Sequence, residues 1–383
     1  MDIDVPVQRA RPGGKILIGG EGQASEESSS MMSYGEAIRE GLIHSMDEDR
    51  SVILVGEGVP DPKGIFGTTT GLRERYGEQR VFDMPLSENG MTGICIGASL
   101  NGMRPVMVHQ RIDFSLLAFD QIVNNAAKLR FLFDNRVHVP IVIRLIIGRG
   151  WGQGSQHGQS LQALFGHIPG LKVVMPATAN DAKGMMIAAI EDDDPVIFIE
   201  HRWLHHTEGL VDKSYRPEDF SFGSARVVTE GSHLTVATFS MMLIEALKAE
   251  RWLRKLGVEL EVVDMRTVTP LDVDTVSRSL EKTGHLIVVD TGNEKGGVAA
   301  DLVSSVVRKS MSSLKSAPDI IALPDSPLPT SHYLSDHYYP DAADIAEMAL
   351  MKVGISCERE KILNDLRRSS PRDQPDRTFT GPF

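Results

Sequence analysis

The sequence predicts an α/β protein of two domains in series, each a parallel sheet covered by helices on both faces, the second smaller than the first. Three observations carry that expectation. Apolar runs too continuous for a sheet with one wet face alternate with helix-length stretches over residues 33–207, and the alternation returns over 223–355. A chain of 383 residues exceeds what one hydrophobic core ordinarily holds. Between the two series, the polar stretch 208–222 with Pro217 reads as a linker.

Residues 1–32 hold Pro, Gly, Gln and a Glu-Glu-Ser-Ser-Ser run with little periodicity, and read as a mobile arm. Asp2, Asp4 and the lack of an apolar h-region speak against a leader peptide. A helix from Tyr34 to Met46 leads to a strand from Ser51 to Gly56, then a Gly-rich loop and the amphipathic stretch Leu72 to Tyr76. Composition and length predict a strand from Arg80 to Leu86, a helix from Met91 to Leu100, a strand from Arg104 to His109 and one long helix from Phe114 to Phe133. Strands at 138–147, 171–175 and 195–200, with a helix at 179–191, complete the first domain. In the second, strands at 233–239, 258–265, 285–290 and 320–323 alternate with helices at 244–256, 273–282 and 299–309. Residues 356–383 form a tail, its end polar with Pro371, Pro375 and Pro382, that lies over a neighbour or stays loose.

The first domain is organised around Pro85 to Ala98, where Glu88 falls in the turn between a buried strand and a core helix. That is the carboxyl end of a strand, the place where open α/β sheets keep their ligands. Gly90, Gly93 and Gly97 leave one helix face bare, at a cost of roughly 1 kcal/mol each relative to alanine. Such a face suits something that approaches the backbone closely. The plainer alternative makes Glu88 only a first-turn acid favoured by the helix dipole.

Composition narrows the function. A net charge of −12 without clustered Lys and Arg excludes a nucleic-acid surface, and no apolar run is long enough to cross a bilayer. Cys95 and Cys357 are too few and too far apart for a metal site or a disulfide framework, which places the chain in a reducing cytoplasm. Neither a GxGxxG nor a Walker-type loop occurs. His201, His205 and His206 invite a metal reading, yet no carboxylate or cysteine stands at ligand spacing beside them.

Several separated blocks then converge: Pro85-Leu86-Ser87-Glu88-Asn89-Gly90, Phe114, Asp120-Gln121, Ser155 to Ser160 around His157, His167 to Val174, Asp181 to Gly184, and Val262 to Thr267 followed by Pro270-Leu271-Asp272. Over about residues 32 to 350 the chain resembles the beta subunit of the thiamine diphosphate-dependent decarboxylase component of 2-oxoacid dehydrogenases. Those subunits are transketolase-like, with a pyrimidine-binding domain, here 33–207, and a C-terminal domain, here 223–355. The resemblance implies that Glu88 hydrogen-bonds the aminopyrimidine of the cofactor and promotes its imino form. Burial that raises a carboxyl pKa suits such proton sharing. It further implies that Phe114 packs on that ring, that Leu86 and Gln110 neighbour it, and that His157 is the active-site histidine. Without the resemblance, Phe114 is a core residue at a helix start and His157 a solvated loop histidine.

The chain has no Gly-Asp-Gly segment, with which this superfamily holds magnesium and diphosphate. The resemblance therefore implies an alpha subunit that supplies those ligands in an α2β2 assembly, and a lipoyl-bearing acyltransferase as a further partner. It also places a monovalent cation, potassium in some relatives, on Ile141, Ala189, Ile190, Asp192 and Asp194; an acidic helix end that binds nothing is the alternative. His109, Gln110 and Arg111 depart from the mostly apolar or acidic residues expected before Phe114 and predict a polar substrate pocket; the alternative is that Arg111 pairs with an acid of the alpha subunit. Three readings stay open: an oxidative 2-oxoacid decarboxylase subunit, a carboligase passing a two-carbon unit from pyruvate to a polar acceptor such as an activated sugar, and a non-catalytic assembly subunit.

Overall fold

The computed structural model describes residues 29–149, 153–357, 359–366, 368 and 370–374. The first domain contributes β1 (Ser29–Ser33), β2 (Val52–Gly56), β3 (Val81–Phe82), β4 (Arg104–His109), β5 (Val142–Ile147), β6 (Lys172–Val174), β7 (Val196–His201) and β8 (Glu208–Asp212). The second contributes β9 (Arg226–Thr229), β10 (Leu234–Thr238), β11 (Leu260–Asp264), β12 (Thr267–Thr269), β13 (Leu286–Asn293) and β14 (Asp319–Leu323). The large sheet runs β12-β6-β7-β5-β4-β2-β3, parallel except for β12 at its edge. The second sheet runs β14-β13-β10-β11-β9, parallel except for β9. Strands β2, β5 and β7 are buried along their whole length, as strands sandwiched between helices must be.

Helix α1 (Tyr34–Glu48) starts where Ser33 and Glu36 form a reciprocal capping box. It packs on α2 (Ala179–Glu191) so tightly that a Cβ on Gly41 would stand 2.9 Å from the Lys183 carbonyl. Two large apolar clusters result, and both draw residues from both domains. The domains are therefore one packed body. Strand β12 belongs by sequence to the second domain yet pairs antiparallel with β6. Arg226 and Arg266, also from the second domain, hold the buried Asp181 at 2.8 and 3.1 Å. Burial, with Asp181 adjacent, pushes the nearby Asp264 carboxyl up to about 7.

Several expectations need correction. Ser29 to Met32, assigned to the mobile arm, belong to β1, which pairs with β8, itself inside the stretch read as linker. The remainder of the arm, 1–28, lies outside the described residues. The strand expected from Arg80 to Leu86 keeps ladder pairing only at Val81–Phe82. The single helix from Phe114 to Phe133 is broken into Ile112–Ser115, a 3₁₀ turn at Leu116–Ala118, a π segment at Gln121–Ala126 and Ala127–Leu132. Part of the tail packs on its own chain, where Arg372 pairs with Asp341 at 3.0 Å and Asp344 at 2.6 Å.

Candidate active site

Glu88 is the first residue of a helix, Glu88–Leu100, rather than part of the preceding turn. It is buried, 6% exposed, and its carboxylate meets no hydrogen-bond donor among the described residues. A buried acid without a donor is costly unless a ligand supplies one. Close by, Glu57 follows β2; burial and then the Glu88 charge hold its carboxyl above the ordinary range, and its Oε1 is buried without a partner. Sequence reasoning missed Glu57. Its signal was an acid between two glycines at a strand end.

Gln110 follows β4 and donates its Nε2 to the Glu57 carbonyl at 2.8 Å, which fixes it beside that acid. Phe114 lies one turn further on, and its ring meets the His157 imidazole edge to face, 5.4 Å between centroids at 90°. Two hydrogen bonds knit the three segments together: Asn89 Nδ2 to the Leu117 carbonyl at 3.2 Å, and Gln159 Nε2 to Asp113 Oδ1 at 2.7 Å. The His157 loop also leans on the second domain, where Ser155 Oγ donates to the Leu328 carbonyl at 2.7 Å. Gly154, at φ +64°, packs so that a Cβ would stand 2.7 Å from Thr330 Oγ1. Glu88, Gln110, Phe114 and His157 therefore belong to one constellation. Leu86 is 81% exposed beside it.

The residues expected to form a polar pocket separate. His109 lies within the sheet, 2% exposed, with burial lowering its pKa to about 4 and Nε2 lacking a partner. A cavity of about 440 Å³ instead joins Gln110 to Lys63, Phe66, Arg202 and His206. Its wall includes Ile65 at φ +32° and Phe66 at φ +57°, left-handed values unusual for a β-branched and an aromatic residue. Arg111 is 5% exposed, does not line that cavity, and has a buried Nη1 without a hydrogen-bond partner among the described residues; burial lowers its pKa, and the charge of Asp113 opposes that shift.

At the other end of the sheet, the oxygens expected to hold a monovalent cation already face side-chain cations. Arg104 donates to the Ile190 and Asp192 carbonyls at 2.9 and 3.1 Å, Lys172 pairs with Asp192 at 2.7 Å, and Arg130 pairs with Asp194 at 2.5 Å. A potassium ion there would share those two carbonyls with a guanidinium. Two of the three histidines at the end of β7 and in the turn after it are likewise engaged: His201 Nδ1 accepts from the Trp203 amide at 3.1 Å, and His205 Nε2 meets Glu200 at 2.9 Å. Among the described residues no group of three or more His, Cys, Asp and Glu could hold a metal, and no helix is long and apolar enough to cross a membrane.

Residues 30–206 match the transketolase pyrimidine-binding domain and residues 223–345 the transketolase C-terminal domain. Fold and site thus define a transketolase-type α/β protein. A structure of a split-gene transketolase, an inactive beta4 tetramer, superposes with a TM-score of 0.66 at 21% identity, covering 85% of this chain and 99% of the other. The beta subunit of acetoin:2,6-dichlorophenolindophenol oxidoreductase from Cupriavidus necator is 42% identical over 328 residues, 83% of this chain and 96% of its own. The pyruvate dehydrogenase E1 component subunit beta of Rickettsia conorii is 38% identical over 318 residues, 83% of this chain and 97% of its own. The chain belongs to this family of 2-oxoacid dehydrogenase E1 beta subunits.

Proposed function

We propose that the chain is the beta half of a thiamine diphosphate-dependent enzyme that decarboxylates a 2-oxoacid and passes on the acyl unit. The observation that carries this is Glu88, a buried residue opening the helix 88–100, whose carboxylate has no donor among the described residues, near the interlocked Phe114 and His157. These residues fit the pyrimidine half of the cofactor: Glu88 to take a hydrogen bond from a ring nitrogen, Phe114 to cover the ring, Gln110 to flank it, and His157 to reach the substrate side. The cofactor supplies the carbanion chemistry; the protein positions it and manages protons. With the cofactor bound, Glu88 would share a proton with the pyrimidine nitrogen. His157, exposed and set against Phe114, donates to the substrate or guides transfer to a lipoyl group.

The sequence has no Gly-Asp-Gly segment for magnesium and the diphosphate, so an alpha subunit would hold them in an α2β2 assembly. The surface around the site is fit for such a partner. Ile94 and Leu117 are well exposed there, and Gly97 has nothing within 4 Å of where its Cβ would be. Thiamine diphosphate titration of the chain with and without a co-expressed alpha subunit tests the reading against a non-catalytic assembly role. In that complex Glu88→Gln should lower turnover about 10²- to 10⁴-fold. Near-normal turnover would remove the proposed role of Glu88.

A further inference from the structure

His157 is exposed, so its ring stands where the backbone on either side of it is held. Three anchors hold that backbone. Gln159 is tied to Asp113, and at 154 and 155 the chain leans on Thr330 and the Leu328 carbonyl. The third anchor comes from residues beyond the transketolase C-terminal domain, which ends at 345. Arg149, just past β5, donates Nε to the Arg372 carbonyl at 2.8 Å. Its guanidinium stacks over the Trp203 ring at 4.6 Å and the Tyr339 ring at 4.3 Å.

The extension that carries Arg372 is itself well fastened. Ile362 is buried in a core cluster that both domains share, Asp365 accepts from Trp252 Nε1 at 3.0 Å, and Asp373, 3% exposed, meets His332 Nδ1 at 2.8 Å. Arg372 answers Asp341 and Asp344, the two acids that form the capping box of the helix Ala342–Val353, and donates to the Tyr339 carbonyl at 2.8 Å. Asp373 and Arg149 then share one small pocket with Gln153, Gly154, Gly158 and Thr330. Its volume is about 10 Å³, the room of a single water, so the tail and the His157 segment are all but in contact there.

We infer that residues 370–374 form a strap that positions His157, gripping Arg149 at the start of the segment that presents the imidazole. The inference rests on the active-site role proposed for His157. An exposed histidine has little packing of its own to fix it, and a reacting group displaced by about 1 Å can lose about 10²-fold in rate. Holding the segment at both ends moves the ordering cost from each turnover to folding. The strap is fastened by charge, because Arg372 faces two carboxylates that its loss would leave uncompensated.

Hydrogen exchange followed by mass spectrometry on the full chain tests the grip without recourse to turnover. Arg372→Gln should speed exchange of amides 153–160 about tenfold while the helix Glu88–Leu100 stays as protected as before, and Arg372→Lys, which keeps the charge, should restore most of the protection. In the co-expressed αβ complex, Arg372→Gln should lower kcat about 10- to 100-fold with the thiamine diphosphate Kd within about twofold, since Glu88 and Phe114 are left in place. Asp373→Asn, an isosteric change that keeps the fold, should move both readouts the same way by about two- to threefold. Unchanged exchange over 153–160 in both variants would overturn the inference, as would faster exchange with unaltered kcat. Lost thiamine diphosphate binding together with faster exchange across 88–100 would mark a general structural role and overturn it too. A wild-type complex that binds no thiamine diphosphate would fail the proposed function instead, and the exchange comparison would still decide whether the strap holds the segment.

Discussion

Arg144 and Arg111 are both buried, on or just beyond adjacent strands β5 and β4, and they live in opposite circumstances. Arg144 gives Nε to Glu200 Oε1 at 2.7 Å and Nη2 to Thr68 Oγ1 at 2.9 Å, while the other oxygen of Glu200 meets His205 at 2.9 Å. That cluster ties β5, β7 and the loop after β2 into one unit, and Arg144 and Glu200 neutralise each other. Arg111 makes no ion pair among the described residues, and its Nη1 is buried without a hydrogen-bond partner there. The difference teaches how to tell architecture from binding: a buried charge with its counter-charge on the same chain holds the fold, and one without it awaits something from outside.

The sharpest way to break the comparison is Glu200→Gln. It removes the counter-charge of a fully buried arginine, so chemical denaturation should show a loss of about 3–5 kcal/mol; a neutral result would make this cluster as dispensable as Arg111. Asp290 is an intermediate case, a buried acid that receives Gln162 Nε2 at 2.8 Å and its own chain's amides but no cation. Burial raises its pKa to about 6, so the folded chain holds this proton more tightly than the unfolded chain does. The stabilisation linked to that proton is complete below the ordinary carboxylate range and is lost as pH rises through about 6. Asp290→Asn should flatten the stability profile there, by on the order of 2 kcal/mol, seen as melting temperature against pH. The smallest effect belongs to Arg111→Met, for which stability should hold or rise within about 1 kcal/mol. A loss as large as that of Glu200→Gln would show that Arg111 is architectural after all.

The apolar alternation made the two sheets legible, because continuous Val-Ile-Leu runs such as 142–147 have few other uses in a chain that also carries helices. It did not reveal β1, β8 or β12. These pairings join distant segments: Ser29 meets Asp212, and Thr267 meets Val174. No local pattern encodes a partner that far away. The long helix from Phe114 was misjudged for a different reason: its residues are all helix-compatible, and the 3₁₀ and π turns that re-aim it arise from packing on the Glu88 helix. At the candidate site, Glu88, Gln110, Phe114 and His157 were picked out through motif resemblance, whereas Glu57 and Arg202 drew no notice. Arg202 lies 91 residues beyond Arg111 in a turn after β7, and only the fold brings their charges together.

Strand β12 has a practical consequence. Expression of residues 30–207 alone would strip the cover from β6 and offer its unpaired amides and carbonyls to any passing chain, so that fragment will self-associate instead of behaving as a free-standing module. Surgery on this protein should respect the borrowed strand.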